Sequence, residues 1–431
     1  MVSIKTMILK INHGSFMKSH YSVFFSFLIS SFLLGVSFYP LPSNAQISSA
    51  DLYQKENDES EEMAFLDAPY KDLKKPQVDV FFQSVPPESG YYLFEEIYEF
   101  MSPVKSQKSR GTCSIFASVA LVEGLMIRDR KNVMSLEQTD LSEEWVEFLS
   151  IANRQATEDG SWSHYNWSMM TEFGPLTEEQ LPYVGEEWQG AEYGLAQERC
   201  GHLKAMPQRF KSCLIGHFDP ALLRASIQDL NNNSSDLYNP QMAELKVLAS
   251  NQKKLWFDNY FQHLSPWSYV YEVSKVSTAR KLLQDKVPLV LSLDFFYGAW
   301  NHRGGSSIGL VANADHWAQG IVGHPTPDSV DRKRSKEKYA GHAITIVGYD
   351  DHRIVTVKIP VYKLIDGQQK IVEEEKTFVG VYYFKNSWGT VGFGKDFSLD
   401  GKTYPGYGMI TYDYAHEYGS FYQLPLVVKN L

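Results

Sequence analysis

The pattern of apolar residues changes character near residue 273, and that change limits the folds open to the chain. From about residue 90 to Gly174 they recur at helical spacing, as at Ile115, Phe116, Val119, Leu121, Val122 and Leu125. A second helical block follows over 187–272, around the breaker-rich stretch "DLNNNSSDLYNP". Beyond it come short unbroken apolar runs, "VPLVLSLDFF", "AITIVGYD" and "VGVYYFKNSW", each the length of a buried strand. "DGQQK" between the last two signals a hairpin. Helices first and strands later predict an α+β protein with a helical half and a β half. A cleft between two such halves is a natural place for a site.

Composition narrows the function classes. The 431 residues are 43% apolar and 14% aromatic, ample for a packed core, and the net charge of −10 argues against nucleic acid as partner. Near the start, "MKSHYSVFFSFLISSFLLGVSFYPLPSNAQ" has a positive end, an apolar stretch and Ser43-Asn44-Ala45. This is the pattern of an export signal cleaved after Ala45, with Met17 as a second candidate start; a membrane anchor is the rival reading. Export places the mature chain in the periplasm or outside the cell, free of the membrane once the signal is removed. The expected organisation is signal peptide 1–45, acidic linker or short pro-segment 46–83, helical half 84–186, inserted helical block 187–272 and β-rich half 273–431. In an oxidising compartment Cys200 and Cys213 are expected to form a disulfide, which leaves Cys113 over.

"SQKSRGTCSIFASVALVEG" places that cysteine at a helix start, behind the break at Gly111-Thr112. There the helix dipole favours the thiolate, the nucleophilic form, whereas a small buried hydrophobe is the plain alternative. A thiol nucleophile needs a base, a group to orient the base and donors for an oxyanion. "GHAITIVGYDD" offers His342 at the start of a strand, and "YFKNSWGTVGFG" offers Asn386 at the end of another, followed by Trp388. Gln107, shortly before Cys113, has an amide able to turn back beside the Cys113 N–H.

Taken together, "PVKSQKSRGTCSIFASVALVEG", "GHAITIVGYD" and "YYFKNSWGTVGFG" resemble, in order, the signature blocks of the papain-like cysteine proteases. "LSEEW" and "EFGPLTEEQLPY" resemble shorter segments of the same family, so the likeness covers about residues 84–186 and 273–422. The resemblance implies a helical half and a β-barrel-like half with the active site between them. It implies Cys113 as nucleophile, a thiolate paired with the His342 imidazolium, with His342 as base, Asn386 as the orienting amide and Gln107 as oxyanion donor. Trp388 would shield the His–Asn bond, while Gly111 and Gly160 would lie along the substrate. The implied activity is hydrolysis of protein or peptide substrates, with no cofactor and no metal.

The chain also departs from the family. Arg110 stands where the family has a cysteine that forms a structural disulfide, Ser114 where it has an aromatic residue, and Phe393 where it has a second tryptophan. His342 follows Cys113 by 229 residues, against the roughly 130–150 expected, and the inserted block accounts for the excess. The 46–83 stretch is short for the family's inhibitory propeptide. Two other functions fit the same residues: acyl transfer or amide hydrolysis outside peptides, and an exported binding module on a degenerate fold. The basic run "SVDRKRSKEKYAGH" leading into His342 reads as a solvated loop, or as an overhang of the leaving-group side that favours acidic residues there.

Overall fold

The computed structural model describes residues 91–130, 139–154, 159–185, 240–260, 271–273 and 276–424. The signal peptide, the acidic linker and the Cys200–Cys213 bridge lie outside the described residues, as does most of the inserted block. The first short elements are β1 (Tyr92–Leu93) and α1 (Glu95–Tyr98). Three helices of the helical half follow: α2 (Cys113–Arg130), α3 (Glu143–Arg154) and α4 (Ser163–Phe173). Ser142 caps α3, its Oγ accepting from the Trp145 N–H at 3.0 Å. Helix α2 is not the amphipathic surface helix its spacing implies. From Cys113 to Met126 its residues are buried, the polar Ser114, Ser118 and Glu123 included, so it runs through the middle of the molecule.

Of the inserted block the described part is α5 (Pro240–Tyr260) and β2 (Tyr271–Val273). Helix α5 packs Leu245 and Ala249 against Trp145, Phe148 and Met169 of the helical half. The β half then runs α6 (Val276–Gln284), β3 (Leu289–Asp294), α7 (Ala314–Ala318), β4 (Ile321–Val322), α8 (Val330–Arg334), β5 (Gly341–Ile365) and β6 (Gln368–Lys385). It closes with β7 (Ser398–Leu399), β8 (Lys402–Thr403), β9 (Tyr407–Thr411), α9 (Tyr412–Tyr418) and β10 (Gly419–Gln423).

The sheet order is β2-β10-β3-β5-β6-β9-β4, with β1 also on β5, and every pairing is antiparallel except β4 with β9. The barrel-like half expected from the resemblance is therefore an open sheet among the described residues. Its path ends on strands of three and two residues that do not pair with one another. The β1 backbone crosses β5 at Gly348, where a Cβ would sit 2.2 Å from the Leu93 carbonyl oxygen, so only glycine fits.

Beyond a register shift between Asp350 and Ile354, β5 and β6 continue as a two-stranded arm from the Ile354–Val379 pair to the Ile365–Gln368 pair. Asp366 and Gly367 turn it, both at positive φ (53° and 73°), as the Asp-Gly signal predicts. The basic run is held down by packing. Arg332 pairs with Glu417 at 3.4 Å, Lys333 lies over the Tyr362 ring, and Arg334 donates to the carbonyls of Ile308 and Gly309. These contacts tie its three leading cations to the arm and its neighbours.

Candidate active site

Cys113 opens α2, where the Thr112 carbonyl accepts from the N–H groups of Ile115 and Phe116. The chain before it is stitched to the segment after β6. Gln107 N–H donates to the Ser387 carbonyl at 2.8 Å, Gly389 N–H to the Lys105 carbonyl at 3.1 Å, and Ser106 faces Trp388 across a β-bridge. Helix α2 lies on β5, with the Thr345 hydroxyl donating to the Ala117 carbonyl at 3.1 Å. Cys113 and Ala343, the residue after His342, belong to one apolar cluster, and the Ala343 amide is directed at the Cys113 sulfur.

His342 is the second residue of β5 and pairs with Leu293 of β3. Its Nε2 lies 2.9 Å from Asn386 Oδ1, which also accepts from the Ser387 N–H at 2.9 Å. An oxygen accepting two bonds fixes the amide orientation, so the neutral ring carries its proton on Nε2 and its lone pair on Nδ1. Trp388 stacks on the imidazole at 4.6 Å and 24°, and Trp317 of α7 stacks on Trp388 at 5.5 Å and 20°. Phe393 meets Trp388 edge-on, and Trp300 meets His342 edge-on. Sequence reasoning missed Trp300 and Trp317. Both come from the stretch after β3, where "FFYGAWNHRGG" and "ADHWAQG" carry aromatics at no helical or strand period.

The Gln107 side chain is fixed at both ends. Its Oε1 accepts from Ser387 Oγ at 2.6 Å and its Nε2 donates to the Arg110 carbonyl at 2.7 Å, so the amide has one further N–H to offer. Gln107, Cys113, His342, Asn386 and Trp388 are all buried. Burial pushes the Cys113 thiol up to about 12, against the opposing pull of the Ala343, Ser114 and Cys113 amides. Burial likewise drives His342 down to about 4, against the Asn386 hydrogen bond. Burial thus works against the charged form at both groups. At the sulfur, desolvation opposes the helix start and the amides. The Arg110 charge does not act at the sulfur, being taken up by Glu144 and Asp159.

Gly111 sits half-buried in the turn before α2. Gly160 is engaged within the chain: its N–H donates to Glu147 Oε1 at 3.2 Å and its carbonyl accepts from Arg154. Its backbone N–H is thus engaged by a buried carboxylate. Ser114, in place of the family's aromatic residue, accepts on Oγ from the Ser161 N–H at 3.0 Å and on its carbonyl from Asn166 at 3.1 Å. Among the described residues no helix is long and apolar enough to cross a membrane.

No family model matches the sequence, and no curated protein does. Among solved structures the chain is similar to xylellain, a cysteine protease from Xylella fastidiosa, at 14% identity and a TM-score of 0.41, over 85% of this chain and 96% of that one. It is similar to the bromelain protease from Ananas comosus in complex with the E64 inhibitor at 14% identity and a TM-score of 0.36, over 78% and 99%. The cysteine protease and lectin-like domains of Cwp84, a surface layer associated protein of Clostridium difficile, give 12% and 0.38, over 80% and 54%. At such scores these likenesses carry no argument.

Proposed function

We propose that the chain is a divergent papain-like cysteine peptidase that cleaves protein or peptide substrates. The observation that carries this reading is the His342–Asn386 hydrogen bond of 2.9 Å under the Trp388 ring, with the Cys113 sulfur against the amide of the residue after His342. A base oriented by an amide and shielded by an indole, one residue before the amide directed at a helix-start thiol, is suited to nucleophilic acyl chemistry. Export rests on the residue pattern of 17–45 alone and belongs to the same proposal.

In this reading proton transfer accompanies attack. His342 Nδ1 takes the thiol proton as the sulfur adds to the peptide carbonyl carbon. The resulting oxyanion accepts from the remaining Gln107 Nε2–H and from the Cys113 N–H. Collapse breaks the C–N bond, and His342 passes its proton to the leaving amine. Water, deprotonated by His342, then attacks the thioester, and the thiol regains its proton as the acid departs. Asn386 holds the ring in one tautomer and takes no proton.

Full burial of Cys113 favours a second reading, a binding module whose thiol does no chemistry. Incubating the protein with a defined peptide pool and counting new amino termini by mass spectrometry separates the two. Cleavage by wild type and none by Cys113→Ala supports the peptidase; no new termini from either favours the module.

A further inference from the structure

We infer that Arg110 is a positioning residue for the oxyanion donor: its buried guanidinium holds the 107–113 turn, and with it the Gln107 amide, in place. This inference rests on the peptidase reading for its catalytic meaning and on geometry for its mechanical one.

The turn needs holding. Lys108 sits at a φ of 53°, a left-handed conformation that a side chain adopts at a cost, and the backbone bond that closes the turn, from Arg110 N–H to the Gln107 carbonyl, is a long 3.3 Å. The Arg110 side chain supplies the restraint. Its Nη1 donates to Glu144 Oε2 at 2.6 Å and to the Val184 carbonyl at 2.7 Å, while Nε and Nη2 take the two oxygens of Asp159 at 3.1 and 3.3 Å. One planar fork therefore ties the turn to three separate segments of the helical half.

Two further links carry this restraint to the site. The Arg110 carbonyl accepts from Gln107 Nε2 at 2.7 Å, so the backbone of the anchored residue sets the direction of the amide. The guanidinium lies 4.9 Å over the Tyr183 ring, and the Tyr183 hydroxyl donates to the Gln107 carbonyl at 2.9 Å and lies 2.7 Å from Thr112 Oγ1. Thr112 directly precedes the nucleophile, so the same network grips the turn at both ends. Where the papain-like pattern places half of a disulfide, this chain places an ionic clamp that no reductant opens.

The test compares wild type with Arg110→Lys, which keeps the charge and loses the fork, and with Asp159→Asn, which keeps the guanidinium should Arg110→Lys fail to fold. Glutamine-selective ¹⁵N labelling reads the Gln107 side-chain amide directly, assigned by its loss in Gln107→Ala. Kinetics on a cleaved peptide and alkylation of Cys113 by a small thiol reagent are read on the same samples. The expected result is a displaced, averaged Gln107 amide pair and a kcat lower by about 10²-fold, the scale of a lost oxyanion donor, with KM and the alkylation rate unchanged. An unmoved Gln107 pair in both variants overturns the inference whatever the kinetics show. A moved pair in a wild-type protein that cleaves nothing leaves the positioning intact and removes the peptidase reading instead.

Discussion

Gln107 and Ser387 hold one another twice: the Gln107 N–H donates to the Ser387 carbonyl at 2.8 Å, and the Ser387 hydroxyl donates to Gln107 Oε1 at 2.6 Å. Ser387 follows Asn386 directly and gives its own N–H to the Asn386 side chain at 2.9 Å. The proposed oxyanion donor and the residue that orients the base are thus fastened through a single serine. Ser387→Ala removes one grip on the Gln107 amide, a loss of roughly 1–1.5 kcal/mol. If that loss is felt in the transition state alone, kcat drops about tenfold while KM holds. Steady-state kinetics on one peptide checks it, and a change confined to KM would mean that the amide serves binding only.

Burial of the thiol has a direct chemical consequence. With the Cys113 thiol pushed up to about 12 by burial, it reacts with iodoacetamide more slowly in the native protein than in the urea-denatured chain at pH 8. Rapid alkylation of the native thiol at pH 5.5 would instead establish a preformed thiolate–imidazolium pair.

Beneath the site lies a buried charge cluster. Lys105 Nζ is 2.9 Å from Glu123 and 3.0 Å from Glu143, both carboxylates being almost wholly buried. Ser102 donates to Glu123, and Lys385 donates to Ser102 at 2.8 Å. Lys105→Met leaves two buried carboxylates without their nearest cation, and unfolding in urea is expected at a stability about 3–5 kcal/mol lower. A loss below about 1 kcal/mol would mean that the Lys105 ammonium does not hold the cluster together.

Acid stability follows from a histidine outside the site. His416, buried on α9 with its Nε2 2.9 Å from the Tyr382 hydroxyl, has its pKa lowered to about 4 by burial. A folded pKa below the unfolded value near ~6.5 means the unfolded chain binds the extra proton first. The contribution is whole above about pH 6.5 and is lost as the pH falls through about 4. His416→Gln, which has no such proton to take up, therefore gains on wild type between pH 7 and pH 4.5. Urea midpoints at the two pH values measure the difference, and a constant gap contradicts it.

Much of this was legible in the residues. The Cys113 helix start, the Asp366-Gly367 hairpin and the split into helices then strands all follow from local signals that tertiary packing did not overrule. The pairing of His342 with Asn386 needs only that β5 and β6 be neighbours, and the hairpin between them makes them so. Other features depend on contacts between distant segments. The apolar spacing in 113–126 could not reveal a helix buried on all sides, because its small polar residues, Ser114 and Ser118, are buried with it. Trp317 reaches Trp388 from α7, a five-residue helix too short to show a period. The partners of Arg110 are 34, 49 and 74 residues away, so neither its burial nor its role could be inferred from "SRGTC".

The central claim is that Cys113, served by His342, forms a covalent acyl intermediate. Rapid acid quenching during turnover of an activated peptide ester, followed by intact mass and peptide mapping, tests it most directly. The account predicts an acyl adduct on Cys113 in wild type, a weaker one in Asn386→Ala and none in His342→Ala or Cys113→Ala. Turnover of the ester with no adduct on Cys113, or an equal adduct in His342→Ala, would contradict it.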